Sequence, residues 1–247
     1  MVLYCNGMTS EGNRDGENQD CLGMFTDGSR GIFIVADGMG GHTKGEVASR
    51  YVTFAVKEFW DRWSLNVDKW DWKKLNQKVY DMVLRANEYI FHSFNQSSVC
   101  GTTIAILVID QEQYAIYSVG DSRVYALQDE ELWQMTHDDI WDTLQETQLK
   151  FTRQECLNHP NHNKLTQAVG TQKALEVHFL SGKINPMQTF ALVTDGVYQF
   201  CEEDTIKELL HRSKKAEQQI PAIETVVEEV FWEGAKDNLT CMVVTVI

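Results

Sequence analysis

The sequence predicts an α+β fold in which antiparallel sheets are covered by helices in layers. Three observations carry this prediction. Strand-like runs rich in β-branched and aromatic residues recur along the chain, tight polar turns join several of them as hairpins rather than crossovers, and amphipathic stretches come as an early pair and a late pair. The chain has 247 residues, three prolines, no Ser/Gly/Pro-rich linker and no repeat, so one continuous domain over 1–247 is expected.

In chain order, IFIVAD is a buried-type strand ending at Asp37. A helix over about 45–64 carries Val47, Ala48, Tyr51, Phe54, Ala55, Phe59 and Trp63 at a period near 3.6. A second, over about 69–95, carries Trp72, Leu75, Val79, Met82, Val83, Ala86, Tyr89 and Ile90, and its Trp-rich start is read as packing against a sheet. TTIAILVID and QYAIYSVGD form a hairpin across a turn at Gln111 and Glu112, and RVYALQ and ELWQMT form another across Asp129 and Glu130. TFALVTD ends at Asp195, helices over about 203–212 and 218–232 follow, and TCMVVTVI is the last strand.

Lys and Arg number 22 against 36 Asp and Glu, a formal charge of −14. Such a surface repels nucleic acid and anionic lipid and suits a divalent cation. The six cysteines include no C-x-x-C pair; Cys21, Cys100 and Cys241 lie in strand-like stretches and read as buried, reduced thiols of a cytoplasmic protein. Residues Met1 to Gly7 lack a signal-peptide pattern, and no apolar run approaches the ~18–20 residues of a membrane helix.

Four Asp-Gly pairs occur. Asp15-Gly16 and Asp27-Gly28 lie in polar surroundings and read as turns, whereas Asp37-Gly38 and Asp195-Gly196 each end a buried-type strand. Asp121 ends AIYSVGD in the same way, and Asp237 directly precedes the final strand. Four carboxylates at strand boundaries can meet at one rim of an antiparallel core, where their mutual repulsion calls for a cation. Ligation by oxygen alone selects Mg²⁺, Mn²⁺ or Ca²⁺ over zinc. The alternating acids of a calcium loop are absent. The glycines of DGMGGH (Asp37 to His42) permit close approach to an ion or phosphate, and Arg14 is a candidate phosphate clamp. Segment 137–163 holds His137, Asp138, Asp139, His159 and His162, and reads as a solvated polar loop with a helix around Arg153 to Leu157.

VADGMGGH, GTTIAILV, VGDSRVY, LTQAVG, LVTDGVY and DNLTCMVV occur in that order. With them the chain resembles the type 2C serine/threonine protein phosphatases of the metal-dependent protein phosphatase family, in their compact bacterial form. The resemblance implies a four-layer α-β-β-α sandwich with two central antiparallel sheets flanked by helices. It implies two Mn²⁺ or Mg²⁺ ions, with a third, weaker one in some members. Asp37 would bridge the two, the Gly38 carbonyl would be a ligand, Asp195 and Asp237 would bind one of them, Asp20 would support their waters, and Asp121 would serve the third. Arg14 would contact substrate phosphate, although it stands six residues before Asp20 where the family has five, and Gln19 occupies a position that is often acidic. Met39 stands where some branches carry a histidine general acid, so His42 is the nearby substitute. Segment 137–163 would be a flap subdomain.

The activity implied is hydrolysis of phosphoserine and phosphothreonine in proteins, by direct attack of a water readied between two ions. The expected setting is cytoplasmic signalling, as a monomer working opposite a Ser/Thr kinase, with no nucleic-acid or membrane partner. The alternatives are a small-molecule phosphomonoesterase and a catalytically silent regulator that binds phosphoproteins on the same fold; the presence of Asp37, Asp195 and Asp237 argues against the latter.

Overall fold

The structure, a computed structural model, describes residues 1–13, 16–40, 44–67, 71–94, 99–128, 130–148 and 150–247. One five-stranded antiparallel sheet runs in the order β1 (Leu3–Ser10), β12 (Leu239–Val246), β11 (Thr189–Val193), β8 (Arg123–Gln128), β9 (Glu131–Gln134). The other runs β10 (His178–Lys183), β7 (Gln113–Val119), β6 (Ile104–Asp110), β3 (Gly31–Ala36), β2 (Cys21–Thr26), also antiparallel throughout. A short pair, β4 (Gly38–Gly40) and β5 (Cys100–Thr102), sits beyond the end of β3.

The two-residue period of a strand sorts the side chains into layers. From β12, Met242, Val244 and Val246 enter a core shared with Phe33, Val35 and Leu107 of the opposite sheet. Leu239, Cys241 and Val243 face outward, onto Ile206, Leu209, Val226 and Val230 of α6 (Glu203–Ser213) and α7 (Gln219–Trp232). On the far side, Ile32, Ile34, Ile104 and Ile106 meet Val52, Val56, Trp63, Leu75, Val79 and Ile90 of α1 (Lys44–Ser64) and α2 (Trp72–Phe94). The result is the four-layer α-β-β-α sandwich.

Several local expectations are corrected. The buried stripe of α1 is Ala48, Val52, Val56, Phe59 and Trp63, while Val47 and Phe54 are 39% and 57% exposed; α1 is apolar on more than one side, so spacing alone does not single out the core face. On α2, Tyr89 is exposed and stacks on Tyr51 with ring centroids 4.5 Å apart. TTIAILVID is broken at Thr103 into β5 and β6. Strands β1 and β10 and helix α3 (Trp141–Thr147) add to the expected elements, and the helix expected near Arg153 is α4 (Arg153–Leu157), begun by a Thr152/Glu155 capping box. All six cysteines are free, but the buried ones are Cys100, Cys156 and Cys241, with Cys21 only half-buried because β2 lies at a sheet edge. Among the described residues, no helix is long and apolar enough to cross a membrane.

Candidate metal centre

The break at Thr103 positions the first carboxylate. Asp37 follows β3; its carbonyl accepts from the Thr103 N–H and the Thr102 hydroxyl, each at 2.8 Å, and its N–H donates to Thr103 Oγ1 at 3.0 Å. Thr103 Oγ1 also pairs with Ser122 Oγ at 2.6 Å, which ties the loop of Asp121 to the same strand end. In the opposite sheet, β11 stops at Val193 and Asp195 opens the short helix α5 (Asp195–Tyr198). Asp237 stands two residues before β12, its Oδ1 accepting the Asn238 N–H at 2.8 Å. Asp20 arrives from the N-terminal segment, and its Oδ2 accepts the hydroxyls of Thr194 and Thr240, each at 2.8 Å.

The glycines explain why only some Asp-Gly pairs belong here. Gly28 has a φ of +87° in the β2–β3 turn, a conformation that favours glycine. Gly38 and Gly196 do not adopt such a φ; they are needed for space. A Cβ on Gly38 would collide with the carbonyl oxygens of Gly45 and Gln19, and one on Gly196 with that of Asn238. Asn238 completes the frame: its Oδ1 accepts the Gln19 N–H at 2.9 Å and its Nδ2 donates to the Glu11 carbonyl at 3.1 Å. The Gln19 carbonyl in turn accepts the Gly38 N–H at 3.1 Å and the Ser49 hydroxyl at 2.6 Å.

The electrostatics record the convergence of these groups. Burial pushes the Asp37 carboxyl well above the usual carboxylate range, and the charges of Asp20, Asp121 and Asp237 push it further. Asp195 is raised well above its usual value by burial, then by Asp37, Asp121 and Asp237, and its carboxyl lies within hydrogen-bonding reach of Asp37. Asp20 is raised to about 7, chiefly by burial and with Asp195 and Asp237 adding to it, against the hydrogen bonds from Thr240 and Thr194. Asp121 is raised to about 6 by burial and Asp138, opposed by the Tyr198 hydroxyl, which donates to its Oδ2 at 3.1 Å. Carboxylates crowded out of water in this way hold an uncompensated charge, and an all-oxygen donor set of that charge fits hard divalent cations such as Mn²⁺ and Mg²⁺.

The structure thus brings Asp20, Asp37, Asp121, Asp195 and Asp237 to one rim, with Gly38 beside them. Arg14 and His42 lie outside the described residues. The expectation of a solvated loop at 137–163 is corrected: Asp138, Asp139 and Asp142 are buried, Asp138 forks onto Arg123 with its shortest contact at 2.6 Å, and His162 pairs with Asp142 at 2.9 Å. His159 stacks on Trp141 at 4.0 Å. Sequence reasoning missed the hydroxyls and amide that hold the carboxylates, namely Thr103, Ser122, Thr194, Tyr198, Asn238 and Thr240. Their only local signal is position, since Ser122, Thr194 and Asn238 adjoin an aspartate of the rim and Tyr198 and Thr240 stand three residues beyond one, while Thr103 has no such signal.

An acidic rim between the two sheets of an α-β-β-α sandwich is a place where hard divalent cations can be held. The chain belongs to the protein phosphatase 2C family, whose pattern it matches over residues 9–240. The serine/threonine phosphatase stp of Listeria monocytogenes is 28% identical over 250 aligned positions, which cover 98% of this chain and 95% of that protein. Among solved structures, the serine/threonine phosphatase of S. agalactiae superposes with a TM-score of 0.87 at 22% identity, over 99% of this chain and 100% of that one. The catalytic domain of PstP in complex with 2 manganese ions superposes with a TM-score of 0.81 at 24% identity, over 100% of this chain and 99% of that one.

Proposed function

We propose that the chain removes phosphate from phosphoserine and phosphothreonine in proteins, using two Mn²⁺ or Mg²⁺ ions. The observation that carries this is the meeting of five aspartates from distant parts of the chain at one rim, four of them with carboxyls raised by burial and by one another. The names of the relatives, serine/threonine phosphatases of matching length, support the substrate class.

Within this reading, Asp37, the Gly38 carbonyl, Asp195 and Asp237 would hold the two ions, Asp20 would support their waters, and Asp121 would serve a third, weaker ion. Such ions, when bound, lower the pKa of a shared water and offset charge on the transferring phosphoryl group. The chain's own part is to hold the oxygens in place: Thr102 and Thr103 fix the backbone of Asp37, Thr194 and Thr240 fix Asp20, and Tyr198 fixes Asp121. Preorganised groups of this kind need no rearrangement as charge develops. Arg14 is assigned to the substrate phosphate and His42 to protonating the leaving alkoxide.

Residues 1–247 act as one catalytic domain with 137–163 as its flap. The protein works as a cytoplasmic, monomeric signalling enzyme on phosphorylated protein substrates, opposite a Ser/Thr kinase. The test compares turnover, in Mn²⁺, of phosphoserine and phosphothreonine peptides with that of nucleotide and sugar phosphates. At least tenfold higher kcat/KM on the peptides is expected. Equal or better turnover of the small esters would make it a small-molecule phosphomonoesterase, and no turnover of either class in Mn²⁺ or Mg²⁺ would make it a silent binding protein.

A further inference from the structure

A second constellation lies beside the rim and uses different chemistry. One ligand atom each from His137, Asp139 and His178 lies within 4.8 Å of the other two. Three pieces of structure bring them together. His178 opens β10 opposite Ser118 of β7. Asp139 follows β9 and is clamped to the loop of Asp121 twice, its N–H donating to the Gly120 carbonyl and its Oδ2 accepting the Gly120 N–H, each at 2.9 Å. His137 lies two residues before it, exposed, with its ring 4.8 Å from that of His178 and tilted by 30°.

The carboxylate is already oriented as a ligand. Its Oδ2 is taken up by the Gly120 N–H and by Gln167 Nε2 at 2.8 Å, while Oδ1 points to His178 Nε2 at 2.8 Å. Polar groups that hold the far oxygen of a carboxylate are what fixes a metal ligand in place. All three side chains line a cleft of about 390 Å³ together with Leu144 and Glu176, which leaves an open side for a fourth ligand.

We propose that His137, Asp139 and His178 form a binding site for a borderline divalent transition metal of the zinc class, separate from the oxygen-only rim. Two imidazoles and one carboxylate are a donor set that zinc accepts with a fourth position left to solvent, whereas Mg²⁺ and Mn²⁺ prefer the rim. Ligand bonds of roughly 2.0–2.2 Å put tetrahedral donors about 3.3–3.6 Å apart. His178 and Asp139 need to part slightly, with the ion taking the place of the hydrogen between them. His137, exposed and free to change rotamer, closes the remaining distance. Because Gly120 precedes Asp121, the site is one residue away from the rim through the backbone.

This inference does not rest on the phosphatase reading. The test uses the full chain, stripped of metal and then held in excess Mg²⁺ so that oxygen-only positions are taken by the harder ion. Zn²⁺ alone is titrated by equilibrium dialysis with metal analysis. Wild type is expected to retain about one Zn²⁺ per chain. His137→Ala and His178→Gln should each weaken that binding by tenfold or more, since loss of even an outer-shell partner costs about 10–100-fold. Asp37→Asn should leave it unchanged. His137 is exposed, so its replacement tests the site without threatening the fold. If wild type retains no Zn²⁺, or if both histidine variants retain it as tightly as wild type, His137 and His178 are only a stacked pair with an Asp139 hydrogen bond, and the proposal is wrong. Loss of the Zn²⁺ in Asp37→Asn but not in the histidine variants would overturn it equally.

Discussion

The aspartates of the rim and those of the segment between β9 and β10 look alike in sequence and differ in what the fold gives them. Asp138 receives the Arg123 fork, with Nε at 3.1–3.2 Å and the nearer guanidinium nitrogen at 2.6 Å. Asp142 accepts the His162 ring at 2.9 Å and the Asn163 N–H at 2.6 Å; burial works against its ionisation, but these partners prevail and hold its carboxyl below the usual range. At the rim the balance is reversed, and burial with neighbouring carboxylates raises Asp20, Asp37, Asp121 and Asp195. Asp138 and Asp142, whose carboxylates the protein has already paired with Arg123 and His162, have no use for an ion. Those it has left unneutralised are where an ion belongs.

The strongest way to break this contrast is Asp37→Asn. Mn²⁺-dependent hydrolysis of a phenyl phosphate is expected to fall below about a tenth of wild type, more than ~1.4 kcal/mol in barrier. The same change should raise the melting temperature of the metal-free chain, because it removes a repelled charge. Retention of more than a tenth of the activity rejects the bridging role.

Asp138→Ala should act in the opposite sense on stability. It strands the partly buried Arg123, which also lies 3.6 Å over the Tyr198 ring, and is expected to cost about 2–3 kcal/mol in denaturant unfolding. An unchanged midpoint would place Asp138 with the unneutralised set.

The pH dependence of the metal-free chain sharpens the contrast further. Asp20 and Asp121 titrate near 7 and 6 in the folded state against an ordinary 3.8, so between about pH 4 and 7 the folded chain binds more protons than the unfolded one. Their contribution is therefore fully present at low pH and is lost as pH rises through that window, and urea midpoints should be higher at pH 5 than at pH 8. Excess Mg²⁺ should flatten the slope; a midpoint that climbs towards pH 8 without metal contradicts the electrostatic account.

Asp142 gives the smallest effect and the opposite sign. Its depressed carboxyl stabilises the fold above its ordinary value of 3.8, and that contribution is lost as pH falls below it. Asp142→Asn should shrink the acid-side loss seen in urea titrations and leave the midpoint slope above pH 5 as it was.

Much of the architecture was legible because strands buried on both faces leave long apolar runs, as in IFIVA and LTCMVVTV. Asp37, Asp121, Asp195 and Asp237 were legible because each adjoins such a run. Strands β1 and β10 were not: both lie at sheet edges and carry half-exposed residues, so their apolar pattern is weak. Asp20 and Gly38 came only through the family resemblance, since Asp20 stands in a polar stretch and the need for Gly38 arises from Gly45 and Gln19 packing against it. The threonines that hold Asp20 are 174 and 220 residues away in sequence, a pairing no local pattern encodes.

That separation bears on how the protein is made. The oxygens around Asp20 come from both ends of the chain, and Asn238 grips the backbone of Gln19. Contacts of such long range form late, after the loop between them has closed. Strands β3, β6 and β7 can assemble with their helices first, yet the rim lacks Asp237 and the Thr240 hydroxyl until β12 is inserted between β1 and β11. The five aspartates therefore meet only once the fold is nearly complete.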